Sequence, residues 1–137
     1  MNRHLIRIPA FFLVLLSSDS VLSGYNPNQE DAYVSVLISE AGDQGFGGML
    51  GVAEVLRNRS WRLSGFCGLR RRDLDDYLDR TPRSVFRLAR RAIGQARRGS
   101  NTVSGATHFE NVEDFGIPVW AKDKKVVARI GNHTFFR

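Results

Sequence analysis

The chain has 137 residues, 42% of them apolar and 25% charged, the length and composition of one ordinary globular domain. A single cysteine excludes an internal disulfide framework and any zinc site built from several thiolates. Twenty Lys and Arg against fourteen Asp and Glu give a net charge of +6, which favours an anionic partner, and no apolar run approaches the roughly 20 residues of a membrane-spanning helix.

Arg3 and Arg7, the apolar run Ile8 to Leu16, polar Ser17 to Ser20 and the small residues near Ser23 follow the three-part plan of a secretory signal. The expectation is a signal at residues 1–23 and one exported domain at residues 24–137, in the periplasm, the cell wall or the extracellular space. A buried N-terminal helix or a membrane anchor is the alternative reading of that segment.

In the domain, Asn28 is placed to cap a helix whose acidic start suits the positive helix end. Tyr33, Val36 and Leu37 carry this helix to about Ala41, where Gly42-Asp43-Gln44-Gly45 breaks it. Met49, Val52, Ala53 and Leu56 predict a second helix ending near Asn58-Arg59. A third starts at about Pro82, with Val85, Leu88, Ala89, Ala92, Ile93 and Ala96 on one face. After Gly99 the segments shorten, and residues 126–136 around Gly131-Asn132 predict a hairpin. Helices first and a small sheet last define an α+β domain.

Glu40 stands out chemically. It lies four residues after Val36 and three after Leu37, so its carboxylate projects from the apolar stripe of its helix. A carboxylate there is either paired with a cation or kept protonated by desolvation, and the second state is what a general acid requires. Spacing leaves a structural, bonded glutamate open as the other reading. Asp43, Glu54, Glu110 and Glu113 are further acids, but none is marked as a partner by its spacing.

The stretch Ser39-Glu40-Ala41-Gly42-Asp43-Gln44-Gly45, continuing through Gly48-Met49-Leu50-Gly51-Val52-Ala53-Glu54-Val55-Leu56-Arg57-Asn58-Arg59, resembles the bacterial cell-wall hydrolase family of spore-cortex-lytic enzymes. Gly105-Ala106-Thr107-His108-Phe109-Glu110-Asn111, Pro118-Val119-Trp120-Ala121 and Ala128 to Phe136 extend the likeness in the same order. The resemblance implies a lysozyme-like, mostly helical fold with a small C-terminal antiparallel sheet, acting on peptidoglycan glycan strands. It also implies a lytic transglycosylase with Glu40 as acid and base, His108 as a groove-lining hydrogen-bonder, and no cofactor. The chain departs from the family pattern at Gly65-Phe66-Cys67, where Gln-Phe-Ser is usual, and at Phe109, where tyrosine is common. Phe66, Phe109 and Trp120 are candidates to stack on sugar faces, with core packing the alternative, above all for Phe66.

Other readings are weaker. His108-Phe109-Glu110 copies the start of a zinc-deaminase signature without its downstream cysteine pair. His108 and His133 have no recognised metal-ligand spacing, so no metal is expected. Cys67 with His108 could serve a papain-like wall endopeptidase, although nothing marks a third member and a buried inert thiol is the simpler state. Residues 57–98 hold 13 Arg and 4 Asp, a net +9. That charge suits anionic wall polymers or phospholipid headgroups. A non-catalytic wall- or nucleic-acid-binding module is the rival reading, and no nucleic-acid fold motif accompanies the charge.

Overall fold

The computed structural model describes residues 27–137. The expected secretory signal, and the expected start of the domain at residue 24, lie outside the described residues. The first helix, α1, runs Pro27–Ala41. Proline suits a first helical turn because its φ is already helical and its missing N–H has no partner to lose. Asn28 therefore falls inside the first turn and not at the cap. Helix α2, Gly45–Asn58, begins four residues before Met49, through Gly47 and Gly48, and every residue from Gly48 to Leu56 is buried. At Gly51 a Cβ would run into the Phe135 ring, so glycine is what lets the C-terminal sheet rest on the α2 backbone.

A short 3₁₀ turn, Cys67–Arg70, leads into α3, Leu74–Arg80, and α4, Arg83–Arg97. The seven residues of α3, with three aspartates, carry too little apolar periodicity to be read from sequence. Helix α4 matches its expected apolar face, with Ala89, Ala92, Ile93 and Ala96 fully buried against α1 and α2. Strand β1 is His108–Glu110; then come a one-turn helix α5, Val112–Phe115, a 3₁₀ turn at Val119–Ala121, and strands β2, Val126–Ile130, and β3, His133–Phe136. The sheet is antiparallel in the order β1-β3-β2. The expected hairpin is β2-β3, turning at Gly131, whose φ is +56°. All four residues of β3 are buried, because it is the central strand. Gln44 Oε1 accepts from Asn132 N–H at 2.8 Å, tying the hairpin turn to the loop before α2.

Much of the arginine cluster holds this fold together. Arg97 pairs with the buried Glu30 at 2.7 Å and Arg90 with Asp31 at 2.9 Å, fastening α4 to α1. Arg57 donates to the carbonyl of Ala96 at 2.9 Å, at the end of α4. Arg91 lies over the Phe46 ring, 4.8 Å from its centroid.

Glu54, one of the acids noted in the sequence, is fully buried in α2. Its Oε2 accepts from Thr102 Oγ1 and from Val103 N–H, both at 2.9 Å, so it anchors the chain between α4 and β1. Glu54→Ala leaves the buried Val103 N–H without an acceptor, and denaturant titration should read a loss of about 1–3 kcal/mol. A variant as stable as the parent would remove this anchoring role.

Candidate active site

Glu40 is the penultimate residue of α1, partly buried where the helix ends. The 3₁₀ turn that packs against this end delivers the N–H of Gly68 to Glu40 Oε1 at 2.7 Å. A side chain at Gly68 would collide with Ser39 and crowd Glu40 Oε1, so only glycine brings this peptide into hydrogen-bonding range. Burial pushes the Glu40 carboxyl above its ordinary range; the Gly68 hydrogen bond opposes this, and the charge of Glu110 adds to the rise.

Two cavities meet at Glu40. One, of about 450 Å³, extends past Ser39, Asp43 and Gln44 to Arg71 and Tyr77 on one wall and Asn132 and His133 on the other. The second, of about 190 Å³, is walled by Arg59, Gly65, His108 and Trp120. Glu40, Cys67, Phe109 and Glu110 line both. The result is one groove with the acid at its middle.

The sequence candidates sort clearly in this groove. Trp120 is 42% exposed and stacks on the His108 ring at 5.1 Å, with Phe136 edge-on behind it at 5.4 Å. Phe109 meets His133 edge-on at 4.8 Å and lines both cavities. Phe66 does not line either: it is 2% exposed, with Phe109 on one side at 6.1 Å and the Arg59 guanidinium over its ring at 4.8 Å. The expected sugar contact by Phe66 is thus replaced by a packing role behind Phe109. Cys67 is corrected in the opposite direction. Its thiol is exposed and lines the groove beside Glu40, because the 3₁₀ turn that presents Gly68 also turns Cys67 outward.

His108 Nδ1 is bonded to Thr107 Oγ1 at 2.9 Å, so that nitrogen is engaged by the residue just before β1. Burial lowers the pKa of both His108 and His133, which leaves both imidazoles neutral at pH 7. Among the described residues no group of three or more His, Cys, Asp or Glu is placed to hold a metal ion.

Sequence spacing missed Gly68, Arg71, Tyr77 and His133 as groove residues and did not single out Glu110. Each lies outside α1 and is brought to the site only in the folded chain. Glu113 lies on a different cavity, with Arg129.

The fold is the lysozyme-like α+β fold, with its candidate acid at the end of a helix facing a small sheet. It is shared with the catalytic domain of the germination-specific lytic transglycosylase SleB from Bacillus anthracis, at a TM-score of 0.64 and 20% identity, covering 84% of this chain and 98% of that one. The catalytic domain of the Bacillus cereus SleB protein superposes with a TM-score of 0.62 at 22% identity, covering 84% and 94% of the two chains. The sequence matches no family model and no curated protein.

Gly68→Ala tests the contact at the centre of this site. The added methyl should cost about 1–3 kcal/mol as the 3₁₀ turn is pushed off α1. With the N–H bond weakened, Glu40 should titrate at higher pH in a carboxyl-carbon NMR titration. An unchanged or lower midpoint would count against the hydrogen bond.

Proposed function

We propose that this protein cleaves the glycan strands of peptidoglycan as a lytic transglycosylase, with Glu40 as its general acid and base. The observation that carries the reading is the position of Glu40: a desolvated carboxyl with a raised pKa, midway along an open groove edged by aromatic rings. The fold shared with SleB catalytic domains supports it.

In this mechanism the protonated Glu40 gives its proton to the glycosidic oxygen, and the C1–O bond breaks with its electron pair going to that oxygen. The carboxylate then takes the proton of the sugar's own C6 hydroxyl as O6 bonds to C1. The products are a 1,6-anhydro end and a free hydroxyl on the leaving strand. The Gly68 N–H keeps Glu40 aimed while it changes charge. Trp120 and Phe109 offer ring faces and edges to the sugars. Export to the wall, and attraction of anionic wall polymers to the exposed Arg83, Arg87 and Arg98, belong to the same proposal.

Glu40→Gln should abolish turnover, by about 10²–10⁴-fold or more, because one residue serves both halves of the reaction. Gln can still accept from Gly68, so the fold is kept. The sign of the stability effect follows from the raised pKa. A carboxyl that is harder to ionise when folded stabilises the fold fully below its unfolded pKa, and that contribution is lost as pH rises through the folded pKa. At neutral pH the Gln variant should therefore melt no lower than the parent. Turbidity clearing of purified peptidoglycan beside thermal melts tests both, and normal clearing by Glu40→Gln would end this reading. In the parent, clearing should also decline as pH rises through the Glu40 pKa.

The exposed Cys67 beside His108 favours one second reading, a cysteine endopeptidase. Cys67→Ser should keep clearing within about twofold, as expected of a surface substitution with no chemical role. Loss of clearing in a folded Ser variant, with free stem peptides among the parent's products, would install the endopeptidase instead.

A further inference from the structure

The groove holds a second carboxylate that the mechanism above does not use. Glu110, at the end of β1, and Glu40, at the end of α1, line the same two cavities. A strand occupying both cavities passes between a helix wall carrying one acid and a sheet wall carrying the other. Glu110 is anchored by backbone: its Oε1 accepts from Asn111 N–H at 3.0 Å. Asn111 is fixed in turn as the cap of α5, accepting from Asp114 N–H at 3.2 Å. The ion pairs among the described residues are Arg71–Asp73, Arg90–Asp31 and Arg97–Glu30, and none includes Glu110. An acid placed in a groove, oriented by a peptide N–H and not matched by an arginine, is available to a substrate that becomes positive.

We infer that Glu110 is a second working carboxylate of this site, stabilising the positive charge that develops on the sugar as its glycosidic bond breaks. The inference rests on the proposed glycan-cleaving reading of Glu40. When the C1–O bond breaks, C1 and the ring oxygen carry oxocarbenium character until O6 closes on C1. Glu110 faces that charge as a carboxylate, forms no bond to the sugar and exchanges no proton. Both protons in the cycle pass through Glu40, so the balance of the reaction is unchanged. The negative charge of Glu110 also keeps Glu40 protonated to higher pH, the state in which the cycle starts.

Other titratable and charged groups line the two cavities as well. On one side are Asp43 before α2, Arg71 after the 3₁₀ turn, Tyr77 of α3, Asp114 of α5 and His133 of β3. On the other are Arg59 and His108, with the Cys67 thiol between the two sides. Glu110 is the group among them whose charge raises the Glu40 pKa.

The experiment is a kcat and KM profile against pH on solubilised peptidoglycan for the parent, Glu110→Gln, Glu110→Asp and Glu40→Gln. Glu110→Gln should lose about 10²-fold in kcat, the scale of one lost electrostatic stabiliser, with little change in KM. Its alkaline limb should move to lower pH, since Glu40 then ionises more readily. Glu110→Asp keeps the charge and should restore both the limb and most of the rate. A merely structural Glu110, serving only the α5 turn, would leave the pH limb in place and make Asp and Gln equally harmful; that result, or parental kinetics in Glu110→Gln, overturns the inference. Should the Gln variant fail to fold, Glu110→Ser keeps a small acceptor for Asn111 and is read in the same way. An active Glu40→Gln would instead strike the underlying reading, so the two failures are distinct.

Discussion

The hydrogen bond from Gly68 N–H to Glu40 organises the site. It spans 28 residues of sequence and joins the end of α1 to a 3₁₀ turn whose Leu69 packs on the core. The same contact aims the acid, turns Cys67 into the groove and starts the path through Arg71 to α3. Its effect on the carboxyl is a compromise. Burial favours the neutral acid and is the larger effect, while the peptide N–H favours the anion and opposes it. The acid and base role proposed for Glu40 is served by that opposition.

Behind the acid stands a helical layer of high packing order. Helix α2 is buried along most of its length, and Gly51 lets the Phe135 ring close on its backbone. The sheet is thereby set close to α1, and β1 brings Phe109 and Glu110 to the groove. Glu54 secures the connection that leads into β1 by accepting from two successive residues, Thr102 and Val103. Two buried or half-buried glutamates thus do different work: one locks a loop through two hydrogen bonds to its Oε2, the other faces an open groove.

The basic surface divides in a similar way. Arg57, Arg90 and Arg97 are spent on helix-to-helix contacts, and Arg59 and Arg91 lie on aromatic rings. The guanidinium is suited to this because it stacks and donates several hydrogen bonds in one plane. Part of the charge read along residues 57–98 is therefore committed within the protein, while Arg62, Arg70, Arg72, Arg80, Arg83, Arg87 and Arg98 are exposed to an external anion.

How much was legible in the chain depended on range. The faces of α1, α2 and α4 and the β2-β3 hairpin follow from local periodicity and turn residues, which act over a few positions. Helix α3 was too short and too acidic to show, and α2 began earlier than expected, through glycines that read as a break in the sequence. Glu40 was legible as a carboxylate on an apolar stripe, and the resemblance to cell-wall hydrolases suggested the role proposed for it. The exchange between Phe66 and Cys67 was not legible: adjacent residues on a turn point opposite ways, and only the turn's docking against Glu40 decides which is buried. Glu110 was one acid among several until β1 paired with β3 and carried it to the groove, 70 residues from Glu40. The sequence by itself determined the helices, the hairpin and the one anomalous acid, because those depend on neighbours along the chain. Tertiary structure alone decided which peptide holds that acid, which rings line its groove and which second carboxylate shares it, because each is a meeting of segments that sequence spacing leaves far apart.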